Sequence, residues 1–313
     1  MNSSPIPQIL WQPSKKFAQN SRLQAFIKWL KDKHQLSFSN YDELWEWSVE
    51  NTKDFWAAVW EYFAIISHSS YTEIHTDDPM PDTRWFPGAT LNYAEHIFRN
   101  KTSLHPAIIY QTETQSLSEI SWETLEDKVA RLRTYLKKQG VKKGDRIAAY
   151  FPNTPEATIA FLAVCSLGVV WSSCSPDFGT NSILDRFSQI EPKVLFVVDG
   201  YHYGGKPFNK MEVVEELCDK MPSVEKVIMV PFLNSEETGA HISKLTLWDK
   251  VMETAAEPLA FEPVPFDHPI WVLYSSGTTG IPKAITHSHG GNLLEHFKYL
   301  AFHNDVHPGE RFF

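Results

Sequence analysis

Apolar side chains in the first hundred residues recur at the spacing of amphipathic helices. Leu23, Phe26, Ile27 and Leu30 fall on one helical face, and Ser21 precedes them as a candidate N-cap. Two further helices are predicted from a capping box, Asn40 with Glu43, and from an aromatic stripe, Trp56, Trp60 and Phe63. We therefore predict a helical, tryptophan-rich region over residues 1–100, whose tryptophans pack in a core rather than bind a ligand.

From about residue 105 the pattern changes, and short apolar runs alternate with helical stripes. The predicted strands cover residues 107–110, 147–151, 169–172, 193–198, 226–230, 271–274 and 284–287. The predicted helices cover residues 121–139, 155–167, 182–190 and 211–220, and Gly140 stands where a helix C-terminal glycine is expected. This alternation is typical of parallel βαβ units. Residues 101–313 are therefore predicted to form an α/β fold with a doubly wound, mostly parallel sheet, and residues 233–260 a surface excursion.

The composition narrows the classes of protein that fit. Hydrophobic residues make up 42% of the 313 residues, and the formal net charge of -9 disfavours binding to a nucleic-acid backbone. Cys165, Cys174 and Cys218 are too few and too scattered for a disulfide framework or a metal site, which favours a reducing compartment. Residues 1–16 lack the apolar core of a signal peptide, and the longest apolar stretch, residues 157–171, is shorter than the roughly 20 residues that span a bilayer. We therefore expect a cytosolic protein without a membrane span.

The stretch with the most chemical content lies between the last two predicted strands. It carries four hydroxyls, two glycines, a proline and a lysine: Ser275, Ser276, Gly277, Thr278, Thr279, Gly280, Pro282 and Lys283. The glycines let backbone amides approach a ligand, and amides together with hydroxyls form a concave donor surface for phosphate oxygens. The lysine adds a compact positive charge behind a stiffening proline. The loop is therefore predicted to bind a polyphosphate.

Two alternative interpretations fit this region less well. A Walker P-loop needs Gly directly before its lysine and Ser or Thr directly after it, whereas Pro282 and Ala284 flank Lys283. An ordinary Ser/Thr/Gly-rich turn is the second alternative, and the strand, proline and lysine together favour the phosphate loop. His287 and His289 lack a nearby carboxylate or cysteine, so we predict structural roles for them and no metal site.

At residues 274–283 (YSSGTTGIPK) the chain resembles the adenylate-forming, AMP-binding superfamily of acyl-CoA ligases, luciferases and peptide-synthetase adenylation domains. Residues 140–178 are similar to the early region of that superfamily. Three stretches are similar to its acetoacetate–CoA ligases: residues 85–93, 171–179 and 184–205. The helical region of residues 1–100 resembles the cap that precedes the ligase core in the enzymes of acetate and acetoacetate.

The resemblance implies a two-step ligation of acetoacetate, with Mg²⁺ and ATP consumed and CoA as co-substrate. The acid attacks the α-phosphate to give an acyl-adenylate and pyrophosphate, and the CoA thiol then displaces AMP. The loop roles that it implies are β/γ-phosphate contacts from Ser275, Ser276, Thr278 and Thr279, backbone donors from Gly277 and Gly280, and charge compensation by Lys283. Lys206 is a candidate for a CoA phosphate, with a solvated surface lysine as the alternative.

The resemblance also sets what to expect of the chain's extent. Residues 1–100 correspond to the helical N-terminal region and residues 101–313 to the first part of the AMP-binding domain. The acyl pocket, the adenine motif and the adenylation lysine of the family would lie beyond residue 313. We therefore expect the chain alone to be inactive, as a fragment or truncated gene model of a ligase or as a short non-catalytic product. Another short-chain ligase, of acetate or propionate, is the alternative for the substrate.

Overall fold

A computed structural model describes residues 10–275 and 280–312, which divide into two compact units. Residues 10–65 and 293–312 belong to one unit, and residues 66–275 and 280–292 belong to the other. Neither boundary between the units falls at residue 100, where the sequence pattern changes. The assignment of residues 1–100 to one functional region therefore stays a prediction.

The helices and strands of the described residues are as follows. The α-helices are α1 Lys15–Asn20, α2 Arg22–His34, α3 Tyr41–Glu50, α4 Thr52–Tyr62, α5 Tyr93–Phe98, α6 Trp122–Lys138, α7 Pro155–Ser166, α8 Thr180–Phe187, α9 Met211–Lys220, α10 Trp248–Met252 and α11 His289–Lys298, and a π-helix covers Tyr299–His303. The strands are β1 Thr90–Leu91, β2 Ile108–Tyr110, β3 Ser118–Ile120, β4 Arg146–Tyr150, β5 Val170–Cys174, β6 Val194–Val198, β7 Gly200–Tyr203, β8 Lys206–Asn209, β9 Lys226–Val230, β10 Leu245–Leu247, β11 Val264–Pro265, β12 Pro269–Ser275 and β13 Lys283–Ser288. Among the helices of the described ranges, none has the length and apolarity needed to cross a bilayer.

The first unit begins with helices whose N-termini are capped by side chains. The Ser21 hydroxyl accepts a hydrogen bond from the Gln24 amide at 3.2 Å, which confirms the predicted start of α2. At α3 the Asn40 side chain accepts from the Glu43 amide at 3.0 Å. The Glu43 carboxylate, however, accepts from the Ser39 amide at 2.6 Å instead of the Asn40 amide. The predicted capping box is therefore half formed, with its reciprocal bond one residue earlier.

Aromatic rings fill the core of the first unit. Phe26 is fully buried, and its ring centroid lies 5.9 Å from that of Trp29, 5.0 Å from that of Tyr62 and 4.5 Å from that of Phe302. The expectation that the tryptophans of residues 1–100 pack in a core is wrong for Trp11 and Trp45, which are 74% and 57% exposed. Trp45 stands on the outer face of α3, because the helical period that points Leu44 inward turns the next side chain toward solvent.

A seven-stranded sheet organises the second unit. Its strand order is β10-β9-β6-β4-β5-β12-β13, and every neighbouring pair is parallel except the last, β12 with β13. Alternate side chains of β4 enter two different hydrophobic clusters: Ile147 and Ala149 pack with α6 and α7, whereas Ala148 and Tyr150 pack with α8 and α9. Helices therefore cover both faces, and the predicted doubly wound, mostly parallel α/β sheet is confirmed.

Two stretches of the second unit differ from the prediction. The strand predicted at residues 107–110 does not join the large sheet; it forms β2, which pairs antiparallel with β3 in a separate hairpin. Residues 233–260 are not only a surface excursion, because β10 adds a parallel strand beside β9 and α10 buries Trp248 and Val251. A three-residue strand is too short to show an alternating pattern, so the polar composition around it dominated the prediction.

His96 is buried in the second unit with both ring nitrogens occupied. Nε2 accepts from the Ile66 amide at 2.9 Å, and Nδ1 lies 3.0 Å from the Asn92 carbonyl oxygen, which can only accept. The ring is therefore neutral, with its proton on Nδ1. Burial lowers the His96 pKa to about 4, while the bond to the Asn92 carbonyl acts in the opposite direction.

We expect His96 to make the protein less stable as the pH falls. Between the ordinary pKa of 6.5 and the folded pKa of about 4, the unfolded chain binds a proton that the folded chain rejects, so the free energy of unfolding decreases toward acid. Between pH 7 and pH 5 the loss from this residue is about 2 kcal/mol. Urea denaturation of wild type and His96→Gln at both pH values should show a loss smaller by that amount in the variant. The exposed His105, replaced by glutamine, is the control; an equal pH dependence in wild type and His96→Gln would contradict the assignment.

Candidate functional site

The two ends of the predicted phosphate loop lie on neighbouring strands of a β-hairpin. Ser275 ends β12 and Lys283 begins β13, and the two residues face each other in the strand register. Directly opposed residues project from the same face of a hairpin, so both exposed side chains point to one side of it. Gly280 has φ +122, a conformation that favours glycine, and among the described residues, its chain neighbours aside, no heavy atom lies within 4 Å of where a Cβ would stand. Ser276, Gly277, Thr278 and Thr279 lie outside the described residues.

Helix α8 and the residues directly after it hold the base of this hairpin. The Tyr274 hydroxyl donates to the Arg186 carbonyl at 2.8 Å, and the Gln189 side-chain amide donates to the Pro282 carbonyl at 2.9 Å. The Arg186 guanidinium lies 4.8 Å from the ring centroid of Phe178 and 6.0 Å from that of Tyr274. These contacts fix both strands of the hairpin where the loop leaves them. Neither Arg186 nor Gln189 is predicted from the sequence as a site residue.

The loop end of the hairpin lies at the carboxyl-terminal ends of the parallel strands. The chain passes from β4 through α7 to β5, and then crosses β4 through α8 to reach β6. Because α7 and α8 pack on opposite faces, a crevice opens between the carboxyl ends of β4 and β5, which is where ligands bind in open α/β sheets. A cavity of about 370 Å³ lies there, lined by Phe151, Pro152, Asn153, Ala157, Thr158, Phe161, Trp171, Ser173, Cys174 and Ser175.

Two buried hydroxyls position the strands around this crevice. The Tyr150 hydroxyl, at the end of β4, donates to the carbonyls of Pro176 and Phe178 at 2.6 and 3.1 Å and so anchors the loop after β5. The Ser172 hydroxyl donates to the Val272 carbonyl at 2.8 Å and ties β5 to β12, whose direct pairing is short. These three bonds join β4 to the loop after β5 and β5 to β12, so they help to set the geometry of the candidate site.

The charge pattern at the hairpin fits an anionic ligand. Among the described residues, no carboxylate forms an ion pair with Lys283, whose side chain is exposed. Burial raises the pKa of Tyr274 to about 12 and that of Cys174 to about 11, so the phenol stays a donor and the thiol stays neutral. An exposed ammonium opposite a serine hydroxyl on one face of the hairpin suits phosphate oxygens.

Of the remaining candidates, Lys206 lies apart from this hairpin, whereas His287 lies within β13 and His289 directly follows it. Lys206 begins β8 in a separate two-stranded sheet with β7, and its side chain is exposed and in no ion pair among the described residues. His287 accepts a hydrogen bond from the Trp271 indole at 2.9 Å, and His289 accepts from the Tyr93 amide at 3.3 Å. Burial lowers the pKa of His289 to about 3. Within residues 10–275 and 280–312, no group of three or more His, Cys, Asp or Glu side chains could hold a metal ion.

The sequence profile of AMP-binding enzymes matches residues 97–313. The chain belongs to this family. A second profile, of the acetyl-coenzyme A synthetase N-terminus, matches residues 41–97. The predicted resemblance to the adenylate-forming superfamily is confirmed, and the AMP-binding match covers the sheet and the hairpin described above.

Several relatives of this chain are acetoacetyl-CoA synthetases. The acetoacetyl-coenzyme A synthetase of Rhizobium meliloti (strain 1021) is 40% identical over 97% of this chain and 47% of its own length. The acetoacetyl-CoA synthetase of Macaca fascicularis is 38% identical over 96% of this chain and 46% of its own length. A solved structure of acetoacetyl-CoA synthetase from Streptomyces lividans has a TM-score of 0.93 at 45% identity, and covers 98% of this chain and 47% of its own chain. The chain thus spans about half the length of the curated relatives it matches.

Proposed function

We propose that this AMP-binding enzyme takes part in the ATP-dependent activation of acetoacetate to acetoacetyl-CoA, with release of AMP and pyrophosphate. The observation that carries the proposal is the similarity over nearly the whole chain to acetoacetyl-CoA synthetases of bacteria and vertebrates. The hairpin adds a chemical reason, because Lys283 and Ser275 offer a cation and a hydroxyl on one face at the crevice edge.

The proposed roles follow from what each side chain can donate. The Ser275 hydroxyl and the loop residues Ser276, Thr278 and Thr279 bind β- and γ-phosphate oxygens, with backbone donors from Gly277 and Gly280. Lys283 compensates the charge that grows on the leaving pyrophosphate as the acid attacks the α-phosphate. Such chemistry depends mainly on positioning and on neutralising charge, and Mg²⁺ bound with ATP would supply further neutralisation. Lys206 is proposed to contact a phosphate of CoA, which attacks in the second step.

We also propose that the reaction takes place in the cytosol. All three cysteines, Cys165, Cys174 and Cys218, are buried free thiols. Burial raises the pKa of each of them, so they stay protonated and unreactive. Free thiols of this kind suit the reducing cytosol. We therefore propose a cytosolic ligase with small-molecule substrates.

The test is ATP–pyrophosphate exchange with the native protein that contains this chain. Exchange should depend on acetoacetate and be at least tenfold slower with acetate or propionate at the same concentration. Faster exchange with acetate would favour the acetate ligases, whose N-terminal profile also matches residues 41–97. The isolated 313-residue chain, which spans about half of its relatives, is expected to give no exchange. Absence of exchange with all three acids in the native protein would refute the proposal.

A further inference from the structure

The residue before Lys283 is held from outside the hairpin by one side chain. Gln189 lies two residues after the end of α8, and its side-chain amide donates to the Pro282 carbonyl oxygen at 2.9 Å. Pro282 directly precedes β13, so it lies outside the strand register that pairs Ser275 with Lys283. Among the described residues, no other side-chain hydrogen bond reaches residues 280–286. Gln189 is therefore the side chain that can fix the backbone where it enters β13.

The side-chain amide of Gln189 is itself held in one orientation. Its nitrogen also donates to the Asp185 carbonyl oxygen, in the last turn of α8, at 2.6 Å. The last carbonyl oxygens of a helix have no partner inside the helix, so this donor satisfies one of them. A side-chain amide nitrogen carries two N–H groups. The bond to Asp185 uses one of them and leaves the other directed at Pro282.

The helix that carries this contact is firmly packed. Ile183 and Phe187 of α8 are fully buried, in one hydrophobic cluster with Leu195 and Val197 of β6. Close packing of this kind leaves a helix little freedom to shift against its sheet. A hydrogen bond from the end of α8 therefore ties the start of β13 to the body of the sheet.

The peptide group that Gln189 holds sets the direction in which the Lys283 side chain leaves the backbone. The Pro282 carbonyl belongs to the planar peptide bond that joins Pro282 to Lys283. The proline ring restricts φ of Pro282 to about −65°. A hydrogen bond to the carbonyl restricts ψ of the same residue, so the lysine Cα has little freedom left. An ammonium on a flexible stem reaches a defined point more often when its Cα is fixed in this way.

We propose that Gln189 is a positioning residue for the first half-reaction, and that it acts through Lys283 by orienting the peptide group between Pro282 and Lys283. The inference rests on the proposed function, in which Lys283 compensates the charge on the leaving pyrophosphate. Gln189 is assigned no contact with the reacting atoms, and its contribution is geometric. A misplacement of about 1 Å at a reacting centre can lower a rate by up to about 100-fold.

The test is a double-mutant cycle on ATP–pyrophosphate exchange in the native protein that contains this chain, with the acid that gives the fastest exchange. Gln189→Leu and Gln189→Glu keep the size of the side chain and remove its N–H donors, and each is made alone and together with Lys283→Ala. Alone, both are expected to slow exchange by about tenfold. Together with Lys283→Ala they should slow it by less than about twofold further, because no lysine is left to orient.

The matched control is Gln115→Leu. Gln115 is also exposed, and its side-chain amide donates to the Tyr110 hydroxyl at 3.3 Å in the separate β2–β3 hairpin. Its replacement should leave exchange within about twofold of the parent, with or without Lys283→Ala. Equal slowing by Gln189→Leu in both backgrounds would overturn the proposal, because general structural damage does not depend on Lys283. Unchanged exchange in the single Gln189 variants would overturn it as well.

A second measurement separates the positioning role from the proposed function. Isothermal titration calorimetry with magnesium pyrophosphate needs no acid, and Gln189→Leu should raise the Kd by about fivefold alone and by less than about twofold beside Lys283→Ala. If exchange is absent with every acid but this pattern of Kd values holds, the proposed function fails and the positioning role stands. If acetoacetate-dependent exchange is present but the Gln189 and Lys283 effects are additive, the function stands and the positioning role fails.

Discussion

Replacing Lys283 by alanine is expected to slow acetoacetate-dependent ATP–pyrophosphate exchange by about 100-fold or more, the scale seen when one transition-state donor is removed. The half-saturating concentration of acetoacetate should change by less than about threefold, because the lysine acts on the leaving pyrophosphate and not on the acid. The measurement is initial exchange rate against acetoacetate concentration in the native protein that contains this chain.

The matched control for that variant is Lys142→Ala. Lys142 is exposed and precedes β4, so it lies at the amino-terminal edge of the same sheet, opposite to the crevice. Its loss removes the same charge and should leave the rate within about twofold of wild type, as for an exposed lysine whose side chain forms no ion pair among the described residues. An exchange rate in Lys283→Ala that matches this control would show that the lysine does not meet the phosphates.

Replacing Phe196 by alanine is expected to lower the free energy of unfolding by about 3–5 kcal/mol. Phe196 is fully buried in β6, an inner strand of the sheet, with its ring centroid 5.8 Å from that of Phe151, 6.2 Å from that of Trp171 and 6.3 Å from that of Trp248. The cavity left by the ring would open between strands and helices that cannot close over it. Urea denaturation followed by far-ultraviolet circular dichroism measures the loss.

Phe17→Ala is the control for the core variant. Phe17 lies in α1 and is about half exposed, so the same chemical change should cost about 0.5 kcal/mol or less. A loss under about 1 kcal/mol in Phe196→Ala would mean that the rings around β6 are not packed as described.

The hydrophobic pattern predicted the fold well where it was long and was bounded by turn or capping residues. The strands β6 and β9 and the helix α9 lie within one residue of their predicted ends, and Gly140 has φ +77 after α6, as expected for a helix C-terminal glycine. The antiparallel pairing of β12 with β13 also follows from the sequence, since a short loop between adjacent strands produces a hairpin.

What the sequence did not predict depends on contacts between distant segments. Arg186 and Gln189 reach Tyr274 and Pro282 across about ninety residues, and no local pattern marks them. The two hydrogen bonds from the Gly204 and Gly205 amides to the Glu113 carboxylate are of the same kind, and Glu113 alone is typical of a solvated loop. The phosphate-binding roles of the hairpin residues are predicted from the motif and stay predictions. The motif indicates the chemistry, but it does not show where a ligand binds.

The position of β13 at the end of the strand order affects the tendency of the protein to self-associate. Among the described residues, no strand pairs with the outer side of β13. Leu273 and Ile285 on this hairpin are 43% and 44% exposed. Such an unpaired strand edge can pair with a strand of another molecule. Repulsion between two molecules that each carry a net charge of -9 opposes this pairing. Concentrated salt screens that repulsion, so self-association should grow with ionic strength even as individual molecules stay folded.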